Sequence, residues 1–245
     1  MDKLTSKFGV KFLAFTLAET LIVMGIIGIV SALTLPNLNS STGEKEKVAK
    51  VKKIYQNLDD AVGRAQAVYG PMDEWKTLDS NQTAQTTRFA QRITEFMKIS
   101  KDCGMDTTGK CFVTKDKALD QSSTSQESQW EYNSNTYKVI LADGTSLSLG
   151  KNGAIYAIYA DIDGATKGKS TWGSDLFAYW VSNNRIDPFY IKFNDNKTPC
   201  RSDNDDCVAW VVTFDNMDYL KTSDGTTCTS NTSKKLTWGG NHSCK

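Results

Sequence analysis

Three aspartates in one short segment carry the side chains best suited to metal chemistry in this chain. Asp161 and Asp163 lie in the run Ala-Asp-Ile-Asp-Gly, and Asp175 follows a Gly-containing stretch. Calcium prefers clustered carboxylate and carbonyl oxygens, so Asp161, Asp163 and Asp175 are candidate calcium ligands. The segment is not an EF-hand, because its Gly comes too early and no Glu closes the loop. The alternative is that these acids accept hydrogen bonds from turn amides.

The cysteines are the second group of reactive side chains. The six are Cys103, Cys111, Cys200, Cys207, Cys228 and Cys244. None forms a C-x-x-C pair and the only histidine is His242, so a zinc site is poorly supported. Their polar, Gly- and Asp-rich surroundings favour disulfides in an oxidising compartment over buried thiols in the cytosol. The sequence does not choose among the pairings. Our hypothesis joins neighbours: 103–111, 200–207 and 228–244.

Nothing in the sequence indicates catalysis or nucleic-acid binding. The motifs of serine hydrolases, P-loop NTPases and zinc proteases are missing, so we predict that the protein is not an enzyme. Lys and Arg number 29 against 28 Asp and Glu, which gives no support to a nucleic-acid partner. The aromatics at Trp172, Tyr179 and Trp180 suit either a sugar site or, more commonly, a core.

The N-terminal segment is strongly apolar and has no charged residue between Glu19 and Glu44. As a helix, residues 15–35 would be about 31 Å long, enough to cross a bilayer. Three interpretations compete: a cleaved signal peptide behind a basic start, a plain membrane anchor, and one that also explains Glu19. An acid inside an apolar helix is costly and usually has a partner. Otherwise Glu19 simply lies at the membrane interface.

The string AFTLAETLIVMGIIG, which begins at Ala14, together with Pro36, resembles the leader and N-terminal helix of type IV pilins and type II secretion pseudopilins. The resemblance implies that a prepilin peptidase cleaves between Ala14 and Phe15 and that the new Phe15 amine is methylated. It also implies that Glu19 meets the Phe15 amine of a neighbouring subunit. The sequence departs from the family in having Ala14 where Gly is usual and Ala18 where a branched apolar residue is usual.

Further residues fit the same resemblance. Gly28 and Ala32 form a small-xxx-small pair that permits close helix approach. Pro36 removes one helical hydrogen bond and is expected to kink or locally melt the helix. The aspartate segment also resembles one found in pseudopilin-like proteins, some of which bind calcium in this region.

Periodicity predicts the elements that position these residues. We expect a break or a weak spot in the helix at 39–43, then an amphipathic helix that ends at Gly70-Pro71. Its apolar stripe comprises Val48, Val51, Tyr55, Leu58, Val62, Ala65 and Tyr69. A second helix is predicted near 83–100 and a loop at 121–129. Strands are predicted at 137–142, 145–149 and 154–160 as an antiparallel meander, with further strands at 189–193 and 208–214.

The predicted fold class is therefore α+β, with a long membrane-spanning N-terminal helix packed on an antiparallel sheet and disulfide-stapled C-terminal loops. We divide the chain into a leader (1–14), a transmembrane or filament-core helix (15–36), its amphipathic continuation (37–70) and an exported globular domain (71–245).

The expected function is that of a prepilin that assembles into a pilus or secretion pseudopilus. The alternative is a minor pilin or adhesin-like ligand-binding module on the same anchor. Expected partners are other pilin subunits, the peptidase and methylase, and the inner membrane, which a single segment crosses. After export the filament would lie in the periplasm or on the cell surface. Apart from calcium, no cofactor is expected.

Overall fold

The computed structural model describes residues 16–75, 81–113, 118–119, 135–152, 155–167, 169–188, 199–200 and 207–245, with the backbone only at 32–42, 118–119 and 152. The predicted cleavage site at Ala14–Phe15, the loop at 121–129 and the strand at 189–193 lie outside these residues. The chain divides into two compact units, Met1–Gly43 and Glu44–Lys245.

Helix α1 comprises Leu17–Tyr69, so its backbone continues through 39–43 without a break. Asn, Ser and Thr there cost a few tenths of a kcal/mol each and Gly43 about 1 kcal/mol, which does not end a helix. The alternative, a weak spot in a continuous helix, stays a prediction. The predicted apolar stripe is confirmed, since Val48, Val51, Leu58, Val62 and Ala65 are buried and Tyr55 and Tyr69 are partly buried.

The helix ends where the sequence predicts. Gly70 adopts a φ of +78°, the left-handed conformation common after a helix C-terminus. The indole nitrogen of Trp75 donates to the carbonyl oxygens of Tyr69 and Gly70, at 3.2 and 3.1 Å. Two carbonyls at the end of α1 thus gain a donor. The short helix α2 (Met72–Trp75) carries that indole.

Helix α3 (Gln82–Thr94) is capped by Asn81, whose side-chain oxygen accepts the Ala84 N–H at 2.7 Å. It is shorter than predicted, because strand β1 begins at Ile99. Phe89 and Ile93 are buried as expected.

The main sheet has six antiparallel strands in the order β1-β3-β4-β5-β7-β8. Their bounds are β1 Ile99–Gly104, β3 Thr136–Leu141, β4 Ser146–Asn152, β5 Ile155–Asp161, β7 Leu176–Ser182 and β8 Arg185–Asp187. The predicted meander is confirmed as β3, β4 and β5. A separate parallel pair joins β2 (Ala118–Leu119) to β6 (Ser170–Thr171).

Both faces of this sheet are covered. Tyr156, Ile158 and Tyr179 belong to a core shared with the 48–65 part of α1, with α3 and with helix α4 (Cys207–Phe214). On the opposite face Tyr159, Trp172 and Trp180 pack with Phe112 and Leu176. The aromatics considered for a sugar site, Trp172, Tyr179 and Trp180, are at most 8% exposed and are therefore core residues.

Residues 208–214 form helix α4 (Cys207–Phe214), so the strand predicted there is wrong. Val, Trp and Phe favour strands only where their side chains can pack on the face of a sheet. Here Val208, Ala209, Trp210 and Val211 are all buried, and a continuous buried run fits a short helix equally well. A 3₁₀ turn, Asp218–Lys221, follows.

The membrane-spanning character predicted for residues 15–36 is not found among the described residues. No helix there combines the length and apolarity that a membrane span requires.

Candidate functional site

The apolar surface of residues 17–30 is the most unusual feature of the N-terminal unit. Every large apolar side chain in it is 53 to 78% exposed. The set is Leu17, Leu21, Ile22, Val23, Met24, Ile26, Ile27, Ile29 and Val30. These positions surround the helix rather than line one stripe, which is the pattern of a helix buried on all sides. Exposed apolar patches of this extent mark sites of association.

Glu19 has a defined local role at the start of this helix. The Thr16 N–H and hydroxyl donate to its carboxylate at 2.9 and 2.8 Å, and the Glu19 N–H lies 3.3 Å from the Thr16 hydroxyl oxygen. This is a capping box, in which a Thr and a Glu three residues apart satisfy each other's free N–H groups. The predicted partner, the Phe15 amine, lies outside the described residues.

Asp161 is fully buried at the end of β5. Its carboxylate accepts the Gly164 N–H at 3.1 Å and the Ser170 hydroxyl at 2.9 Å. Burial, and after it a hydrogen bond with the neighbouring carboxyl of Asp163, raise the pKa of Asp161 to about 7. The two side chains therefore lie together, as the calcium hypothesis requires.

Asp175 is engaged elsewhere. Its carboxylate lies 2.5 Å from the Lys47 ammonium of α1 and accepts the Thr171 N–H at 3.3 Å. Its backbone carbonyl accepts the N–H of Ile162, which lies between Asp161 and Asp163. Among the described residues, no group of three His, Cys, Asp or Glu side chains is arranged to hold a metal ion. The calcium site stays a prediction.

Asp161 makes stability depend on pH. The folded state holds its proton up to about pH 7, whereas the unfolded chain releases it near pH 4. Between these values the unfolded state binds fewer protons, so this residue lowers the free energy of unfolding as the pH rises. We expect Asp161→Asn to flatten that slope and to stabilise the protein by on the order of 2 kcal/mol at pH 8.

Urea unfolding of both proteins at pH 5 and pH 8 measures this difference. Equal slopes in wild type and Asp161→Asn would show that the carboxyl is ionised in the folded protein.

Gly164 fixes the same loop through its backbone. Its φ is +90°, and a Cβ there would lie 2.7 Å from the Gly144 carbonyl oxygen. We expect Gly164→Ala to destabilise the protein by about 2 kcal/mol, because strain and a backbone clash add. Gly63→Ala is the control, since Gly63 lies in α1 with no heavy atom within 4 Å of its Cβ position. Thermal unfolding should show a lower Tm for the first variant and an unchanged or higher Tm for the second.

The three hypothesised disulfides are confirmed. Cys103 pairs with Cys111, Cys200 with Cys207 and Cys228 with Cys244, and no cysteine is free. The second bridge reaches the first residue of α4. The third closes a loop of residues 228–244, here called the C-terminal loop, and suits an oxidising compartment.

Sequence reasoning missed the buried acid that holds this C-terminal loop. Asp218 is 2% exposed and accepts the Ser243 hydroxyl at 2.7 Å and the Cys244 N–H at 2.8 Å. The Lys221 ammonium lies 2.6 Å from Asp218 and 2.7 Å from Glu44 on α1. Burial alone would raise the pKa of Asp218, but these three donors lower it below its usual range. The network ties the C-terminal loop to residue 44 of α1.

Sequence reasoning also missed an arginine between two aromatic rings. The Arg92 guanidinium carbon lies 4.6 Å from the Tyr69 ring centroid and 5.0 Å from that of Trp75. An open groove of about 780 Å³ runs beside it. The only advance signal was the spacing of Arg88 and Arg92, which places both on one helix face.

No family model, curated protein or solved structure matches this chain.

Proposed function

We propose that this protein is a structural subunit that assembles, after cleavage between Ala14 and Phe15, into a filament of the type IV pilus or type II pseudopilus kind. One observation carries the proposal: the apolar side chains of residues 17–30 are exposed around the whole helix. Such a surface is stable only when lipid or other chains cover it. A membrane before assembly and neighbouring copies after assembly would supply both covers.

The membrane part of the proposal depends on sequence that extends beyond the described side chains. Phe15 lies outside the described residues, and the side chains of residues 32–36 are not described. In this proposal the segment crosses the inner membrane once, and the peptidase and methylase act on Phe15. The unit from Glu44 onward is then exported, a placement that its three disulfides favour.

Mass spectrometry of the mature N-terminus, on protein isolated from its native membrane, tests the proposal. We expect a chain that begins at a methylated Phe15. An N-terminus near Ala32 would identify an ordinary signal peptide, and a soluble chain that retains Met1 would exclude processing altogether.

A minor pilin or adhesin-like ligand-binding module on the same anchor is the second candidate, and the Arg92 groove favours it. A structural subunit would make up most of a purified filament, whereas a minor one would be rare in it. Quantifying this chain in purified filaments separates the two candidates.

A further inference from the structure

We propose that the exposed face of α1 between residues 45 and 67 docks against the same helix of a second copy of this chain, shifted along the helix axis by about four turns. This docking face comprises Lys45, Ala49, Gln56, Asp59, Gly63 and Ala67, all of them exposed. At about 100° per residue, these positions lie within about 80° of one another around the helix axis. The inference rests on the proposed function, because it assigns how neighbouring subunits meet beyond the apolar segment.

The docking face carries one available charge of each sign. Lys45 and Asp59 are exposed, and neither makes an ion pair or a hydrogen bond with any residue that the structure describes. The other lysines on this part of the helix differ. Lys47, Lys52 and Lys53 each pair with an aspartate of the same chain, at 2.5 to 3.0 Å. Lys45 and Asp59 are therefore available to another molecule.

The spacing of these two charges makes the face complementary to itself. Lys45 and Asp59 are 14 residues apart, which is close to four helical turns, or about 21 Å. Two parallel copies shifted by that length place Lys45 of one copy beside Asp59 of the next. Each copy then offers Lys45 to one neighbour and Asp59 to another, so the contact is head-to-tail and extends without closing.

An antiparallel pair of helices would behave differently. It would use both charges of each copy in one contact and would stop at a dimer. Copies that each cross the membrane once in the same direction are parallel, so the proposed function favours the extending arrangement.

The shape of the docking face permits close contact between helices. Ala49, Gly63 and Ala67 are small, and the Cβ position of Gly63 has no heavy atom within 4 Å. Two grooves flank the helix: one of about 460 Å³ reaches Asp215, and one of about 330 Å³ reaches Phe96. The distance between packed helices depends on the side chains at the contact, so a face of small residues flanked by grooves suits a neighbouring helix.

The charges are expected to fix the position of the neighbour rather than the strength of the contact. Exposed ion pairs contribute little to stability. Complementary charges nevertheless select the register and orientation of a complex, because a wrong register brings like charges together. The exposed apolar side chains of residues 17–30 would provide the affinity, and Lys45 and Asp59 would set the axial shift.

Charge reversal in the full chain, expressed in its native membrane, tests the proposal. Lys45→Glu and Asp59→Lys each bring like charges together at the contact, so we expect either change to lower the yield of sheared filaments at least about tenfold. The double variant Lys45→Glu/Asp59→Lys restores an opposite pair and should return the yield to near that of wild type. Such a rescue would show that neither single variant merely fails to fold.

Lys235→Glu is the matched control for the charge reversals. Lys235 is an exposed lysine outside α1, so its replacement changes the net charge by the same amount as Lys45→Glu. It should leave the filament yield unchanged.

Cross-linking measures the axial shift directly. In filaments of Lys45→Cys/Asp59→Cys, a short bismaleimide should join neighbouring copies into a ladder of dimers, trimers and longer species on denaturing gels. The two sites of one chain lie about 21 Å apart, so a short linker does not join them to each other. The native cysteines are all in disulfides. Each single-cysteine variant should therefore remain monomeric.

Four results would overturn the proposal: a normal filament yield from Lys45→Glu, no rescue in the double variant, a cross-linked dimer without a ladder, or no cross-linked product. In each of them the wild type still forms filaments, so the proposed function would stand. A wild-type chain that forms no filaments and retains Met1 would instead overturn both.

Discussion

Replacing Glu19 with Gln is expected to reduce filament yield at least about tenfold, as is Glu19→Ala. The structure gives this acid a local role, because Thr16 and Glu19 form a capping box. A Gln can occupy the same position in a capping box, so local helix capping should survive Glu19→Gln. What it cannot keep is the negative charge that would meet the Phe15 amine of an adjacent subunit.

Thr16→Ala is the matched control for this pair of variants. It removes the capping hydroxyl and leaves the Glu19 charge, so filaments should form at near-normal yield. Sheared filaments are quantified by immunoblot and electron microscopy, and the membrane fraction is checked for cleaved protein in every variant. Normal filament yield from Glu19→Gln would show that the residue serves only as a cap, and the charge-pairing argument would fail.

Asp218→Asn is expected to lower the free energy of unfolding by about 3 kcal/mol, because it loses charged hydrogen bonds in a buried position. The amide has one oxygen where the carboxylate has two. Its nitrogen would then face a donor from Lys221, Ser243 or Cys244. The C-terminal loop would retain its disulfide but lose part of its hydrogen bonding to the 3₁₀ turn.

Asp215→Asn is the control for Asp218→Asn. Asp215 also pairs with a lysine, Lys52 at 3.0 Å, but its side chain is 71% exposed. Exposed pairs contribute little, so the change should cost under about 1 kcal/mol. Asn also tolerates the positive φ of 58° that Asp215 adopts. Urea unfolding at pH 7 compares the two variants, and equal losses would contradict the proposed role of Asp218.

Asp218 and Asp161 change the free energy of unfolding with pH in opposite directions. Because the folded-state pKa of Asp218 is lowered, its stabilisation is present above its unfolded pKa and is lost as the pH falls through the lower folded value. Asp218→Asn should therefore remove stability mainly at neutral pH and change little under strongly acidic conditions.

Local pattern predicted the regular elements of this protein. The apolar stripe from Val48 to Tyr69 repeats at helical spacing, and Gly70-Pro71 marks the end of that helix. Strands β3 to β5 follow one another along the chain and are joined by tight turns. The cysteines lie near one another in sequence, and short loops close most easily, so neighbour pairing was a sound hypothesis. Each of these features depends on residues close together along the chain.

The errors arose where distant contacts decide the outcome. The β-branched and aromatic residues of 208–214 predict a strand, but these residues pack into the core as helix α4. Asp175 looked like a partner of Asp161 and Asp163, yet Lys47 of α1 takes its carboxylate. Composition does not show which oppositely charged group a fold will bring within hydrogen-bonding distance.

By itself, the sequence determined an α+β chain with an apolar N-terminal segment that contains a single acid, and with cysteines suited to local disulfides. Only the tertiary structure decided that Asp161 is buried beside Asp163, that Asp218 holds the C-terminal loop, and that Arg92 lies between Tyr69 and Trp75. The physical reason is that burial, and the hydrogen bonds that make it tolerable, are set by residues far apart in the chain.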